Sequence, residues 1–95
     1  QVGWSGADEI TLAEGYARCG KFDEAISSYQ QCVSRAPEGG DLYCAALYGI
    51  AQTYVRIGLK SQALEACSKG EKKARSPSDV VRFRQLGATI QSNPG

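Results

Sequence analysis

Apolar and small residues recur along this chain at helical spacing, and no useful length alternates as a strand would. Ile10, Ala13 and Ala17 fall on one stripe, with Leu12, Tyr16 and Cys19 beside it. Ala25, Ile26, Tyr29, Cys32, Val33 and Ala36 form a second run. Leu47, Ile50, Ala51, Tyr54 and Val55 form a third, followed by Ala63, Leu64 and Cys67. Spacings of i, i+3, i+4 and i+7 are those of an amphipathic helix. The pattern predicts five helices, over about 6–19, 23–36, 41–57, 61–75 and 78–92.

The polar punctuation agrees with those boundaries. Gly20 and Gly58 stand where a helix can end in the left-handed conformation. Ser5-Gly6-Ala7-Asp8 has the form of a capping box. Ser76-Pro77-Ser78-Asp79 offers an N-cap serine, a first-turn proline and an acid. Asp23 and Glu24 suit a first turn, where the helix dipole favours negative charge. Lys69, Lys72, Lys73 and Arg75 suit a last turn and are read as a solvated helix end. Pro37 with Gly39-Gly40 makes the main break. Short connections then set neighbouring helices antiparallel.

The chain also repeats itself. Tyr16, Arg18, Gly20, Ala25 and Ile26 match Tyr54, Arg56, Gly58, Ala63 and Leu64 at an offset of 38 residues. A weaker third copy begins near Val80.

These copies resemble the tetratricopeptide repeat, a pair of helices with a fixed order of large and small residues. The first copy supplies Leu12-Ala13, Tyr16, Gly20, Phe22, Ala25, Tyr29, Cys32 and Pro37, and has Glu9 where the family has a leading aromatic. The second supplies Leu47, Ile50-Ala51, Tyr54, Gly58, Ala63 and Cys67. It lacks the closing proline: Gly70 takes a small core position and Pro77 comes two residues late. The third supplies Phe83, Leu86-Gly87 and Ile90. The resemblance implies an all-α fold, a short right-handed superhelix of antiparallel helix-turn-helix repeats. It implies one domain over 1–95, with repeat 1 at about 6–39, repeat 2 at about 44–77 and a capping helix at about 78–92. The offsets of 38 and then 36 exceed the usual length of about 34, and the excess is expected to lengthen the helices around Pro37–Asp41. Small residues such as Ala13, Ala25, Ala51, Ala63 and Gly87 let helices approach, while Tyr16, Tyr29 and Tyr54 fill the core.

In such arrays the first helix of each repeat lines a concave groove. The resemblance therefore points to Ile10, Glu14, Ala17 and Arg18, then Tyr48, Gln52, Val55 and Arg56, then Arg84, Ala88 and Gln91. Arg18, Arg56 and Arg84 are expected to form a basic line, and Tyr48 an aromatic anchor. Together they suit a protein or peptide partner carrying acidic groups. The competing reading leaves these arginines solvated or paired with Glu14 and nearby acids. Some relatives clamp a terminal carboxylate with Lys and Asn side chains. This chain has Ile10, Glu14 and Gly49 at the matching places, so that clamp is not expected. The implied role is a non-catalytic scaffold.

Composition narrows the rest. A net charge of +1 argues against nucleic acid as the partner, and no run of apolar residues is long enough for a membrane span. Cys19, Cys32, Cys44 and Cys67 form no C-x-x-C pair, and there is no histidine, so no metal is expected. They are read as reduced core residues, with a disulfide left open. No nucleophile elbow, phosphate loop or acid–base pair stands out, so no catalytic residue and no cofactor is expected. Trp4 is expected to cover the end of the first helix pair. Two other readings remain: an RNA-binding pentatricopeptide-like repeat, and a module that associates with itself. The expected location is cytoplasmic.

Overall fold

The computed structural model describes residues 3–92. The expected domain span of 1–95 therefore includes five residues outside the described ones. Five helices follow one another: α1 Gly6–Arg18, α2 Phe22–Arg35, α3 Asp41–Arg56, α4 Lys60–Lys73 and α5 Pro77–Ser92. Among the described residues there is no strand. Each helix packs on its sequence neighbours, and α3 also touches α1 and α5. The first helices α1, α3 and α5 thus form one layer, and α2 and α4 the other. The result is a slab of 48 × 31 × 15 Å.

Local chemistry explains each boundary. The Ser5 hydroxyl accepts the Asp8 N–H at 3.3 Å and starts α1. Helices α1 and α3 end in the same Schellman geometry. The Lys21 N–H donates to Tyr16 O at 2.9 Å and the Gly20 N–H to Ala17 O at 3.1 Å. In the second repeat Leu59 donates to Tyr54 O at 2.8 Å and Gly58 to Val55 O at 3.1 Å. Gly20 and Gly58 carry the φ of +79° and +82° that this turn requires. Pro77 opens α5, in the first position where its missing N–H costs no helix bond.

The longer connections hold each other. Gly39, with φ +81°, has its carbonyl facing the α4–α5 linker, where the Arg75 N–H donates to it at 2.9 Å. Helix α4 stops at Lys73, so Arg75 lies beyond the last turn that the charge pattern assigned to it. Lys72 and Lys73 do occupy that turn, and Lys73 reaches Glu38 at 3.2 Å.

The core is built on small residues. Ala13 meets no solvent, nor do Ala25, Ala51 and Ala63, each pair at equivalent places of its repeat. Glycine serves the same end at Gly70, where an added Cβ would stand 2.5 Å from the Cε1 of Phe83. Phe83 is the largest fully buried side chain. Its ring meets Tyr48 edge-on at 5.8 Å and ties α5 to α3. Trp4 lies across the start of the array: its indole N–H points to Glu9 at 3.3 Å, and Arg35 stands 5.7 Å from the ring centroid. It covers the end of the α1–α2 pair, as expected.

The cysteine expectation needs one correction. Cys32, Cys44 and Cys67 are buried and free, but Cys19 is exposed. Leu12 on the same stripe is 50% exposed. Leu12 and Cys19 thus face away from the core, while Tyr16 between them is partly buried and packs on it.

Candidate functional site

The layer of first helices carries a depression of about 460 Å³. Helix α1 gives it Glu14, Ala17 and Arg18; α3 gives it Gln52, Val55 and Arg56; α5 gives it Leu86. Residues four apart on one helix lie one above the other, which is why Glu14 stacks with Arg18 and Gln52 with Arg56. Schellman turns at both helix ends set Arg18 and Arg56 at the same depth, as the last helical residue of α1 and of α3.

The floor comes from the other layer. Tyr29 of α2 lines the depression although it is 5% exposed. It gets there through Gly49: a Cβ on that glycine would stand 2.5 Å from Tyr29 Cε1 and 2.8 Å from Cε2. The phenol end of the ring therefore lies against the α3 backbone. Burial raises its pKa, the nearby Glu14 carboxylate raises it further, and Arg18 lowers it in part. The hydroxyl keeps its proton at neutral pH and can donate.

The arginines are not alike. Among the described residues, neither Arg18 nor Arg56 lies within 4.0 Å of a carboxylate oxygen. Arg56 instead stands 5.3 Å from the Phe22 ring centroid, a cation–π distance that steadies it without neutralising it. Arg84 is held by Glu71 at 3.0 Å. It lines a separate depression between α4 and α5, with Leu64, Cys67 and Phe83. The expected line of three arginines is therefore a pair, because α5 turns Arg84 towards α4.

Two further expected groove residues are placed elsewhere. Tyr48 is half-buried: Phe83 meets its ring, and the Arg82 guanidinium stands 4.5 Å above it. Ile10 is also half-buried and packs on the core. The structure brings Glu14, Arg18, Gln52, Val55 and Arg56 together and leaves Ile10, Tyr48 and Arg84 outside. Sequence reasoning placed Tyr29 in the core and gave Leu86 only as a repeat position, and so missed both as lining residues. One signal was present for Tyr29: Gly49 stands inside a helix, where a glycine marks a close approach.

Elsewhere, a depression of about 510 Å³ crosses the opposite face over Val33, Leu47, Ile50 and Tyr54, edged by Glu65 and Lys69. Among the described residues no cluster of His, Cys, Asp and Glu could hold a metal ion. No described helix is long and apolar enough to cross a membrane.

Fold and groove together define an all-helical antiparallel repeat protein. The family model described as Tetratricopeptide repeat matches residues 11–43, from within α1 to the first residues of α3. Its five helices, packed in this order, are consistent with tetratricopeptide-like repeats. No curated protein and no solved structure gives a match. The family's members are generally protein-interaction modules and non-catalytic scaffolds.

Proposed function

We propose that the chain is a non-catalytic module that holds a peptide segment of a partner protein along the α1–α3–α5 face. One observation carries the reading: side chains from three separate helices converge on one open depression. Its lining is mixed, with Ala17, Val55 and Leu86 for apolar contact and Gln52, Arg18 and Arg56 for polar contact. That mixture suits a peptide, whose backbone needs hydrogen-bond partners and whose side chains need apolar cover.

The test is a selection of 12-residue peptides displayed against the chain, followed by amide chemical-shift mapping with a selected peptide. Shifts concentrated on Glu14, Arg18, Gln52 and Val55 support the proposal. Shifts confined to the opposite face, at Val33, Glu65 and Lys69, or no selected binder, overturn it.

A further inference from the structure

We infer that the groove selects a peptide by an internal acidic side chain, held between Arg18 and Arg56 over the Tyr29 hydroxyl. The inference rests on the peptide reading and deepens it. Charge complementarity names the occupant. Arg18 and Arg56 share one depression, and neither has a carboxylate of the described residues within ion-pairing distance. Arg82, Arg84 and Lys73, by contrast, all have one. Glu14 is the one acid in the groove lining, so the two guanidiniums leave the groove in need of a negative group.

The third partner is the tyrosine. Tyr29 lines the same depression as both guanidiniums, with Arg18 near enough to act on its phenol. Such a phenol is suited to donate to an anion held there, because an O–H to a carboxylate is a short, strong bond. Tyr29 is fixed there by its contact with Gly49 and by burial in the core, so its hydroxyl needs no ordering when a ligand arrives. A lysine in the same place would leave two arginines without an acceptor, and an amide would offer them only a neutral one. The selectivity therefore comes from the cost of the wrong side chain as much as from the right one. An internal residue fits better than a chain end: Ile10, Glu14 and Gly49 supply none of the cationic or amide groups that a terminal-carboxylate clamp needs.

Selected peptides, synthesised with both ends blocked, provide the probe. Each acid is replaced in turn by its amide, and affinity is read by fluorescence anisotropy. One replacement is expected to weaken binding about tenfold or more, the loss expected for a hydrogen bond to a charged group. Tyr29→Phe, Arg18→Gln and Arg56→Gln should each reproduce that loss for the acidic peptide and not for its amide twin. Thermal unfolding of Tyr29→Phe should match the parent, which separates a lost hydroxyl from a damaged core. Lys72→Gln, which removes the same charge on the outside of α4, should leave affinity within about twofold, as exposed charges do. If blocked peptides bind the groove and every amide twin binds as well, the acidic anchor is wrong while the peptide reading stands. Parent-like binding by Tyr29→Phe overturns the acidic anchor in the same way. If no blocked peptide binds the groove, both fall.

Discussion

Replacing Gly70 with alanine should destabilise the chain, although the same change in an open helix would stabilise it. Helix propensity alone favours alanine over glycine by about 0.8–1 kcal/mol. Against this stands the Phe83 ring, which a Cβ at position 70 would approach to 2.5 Å at Cε1 and Cε2. Carbon atoms rest at about 3.5–4.0 Å, so ring and helix must separate by roughly 1–1.5 Å. Phe83 has nowhere to retreat: it is 1% exposed and meets Tyr48 edge-on, and Tyr48 in turn lies under Arg82. Overpacking of this kind costs about 1–3 kcal/mol. The larger part of that range applies, and after the propensity gain a net loss of about 1–2 kcal/mol remains. For a domain of this size that lowers Tm by roughly 5–15 °C. Circular dichroism at 222 nm, followed during heating, measures it. Gly15→Ala is the matched control, because a Cβ there meets nothing within 4 Å. It should gain about 0.5–1 kcal/mol. A Gly70→Ala Tm equal to or above the parent's would refute the packing argument. A Phe83→Leu background, which removes the obstructing ring, should bring the alanine substitution back towards neutral.

Gly20→Ala and Gly58→Ala test backbone conformation without packing, since neither Cβ would meet a neighbour. Each should cost about 1–2 kcal/mol and lower the urea midpoint with the slope unchanged; an unaltered midpoint would contradict the left-handed turn. Ser5→Ala removes the acceptor for the Asp8 N–H and should cost about 1 kcal/mol, seen as faster hydrogen exchange in the first turn of α1. One thiol, Cys19, should react quickly with an aromatic disulfide reagent, while Cys32, Cys44 and Cys67 wait for unfolding; two fast thiols would show the burial to be wrong. Stability should also fall above about pH 9. Burial, helped by the charge of Asp79 and a hydrogen bond to it, lifts the Cys44 thiol to about 11, and burial also raises Cys32 and Cys67. The folded chain then keeps protons that the unfolded chain releases, so stability is flat below pH 9 and is lost on the way to pH 11. A tenfold difference in a thiol's proton affinity between the folded and unfolded chain is worth about 1.4 kcal/mol, readable as a lower urea midpoint at pH 10 than at pH 7.5.

Helix number and boundaries were legible because their signals are local. Ser5, Gly20, Gly58 and Pro77 act on the backbone within a turn of themselves, and each is found doing so. The alanine pairs were legible because the repeat gives the same answer twice. The groove was legible only in part. Glu14, Arg18, Gln52, Val55 and Arg56 follow from helical phase on α1 and α3. Arg84 does not, because the azimuth of α5 is set by where Phe83 seats against Gly70. Tyr48 looked free because its cover, Phe83 and Arg82, comes from a helix some 35 residues later in the chain. The apolar periodicity of Leu12 and Cys19 was real, but periodicity names a face without saying whether anything covers it.

Each helix in this chain leans on its immediate neighbours, with α3 alone reaching both α1 and α5. Loss of order in such a stack starts at an end and travels inward. The groove draws on both ends, taking Glu14 and Arg18 from the first helix and Leu86 from the last. A peptide lying across it would tie together two termini that otherwise loosen independently. Occupancy should therefore change the character of unfolding, from stepwise fraying to a single concerted event. Slow exchange would then spread outward from α3 to the helices at either end.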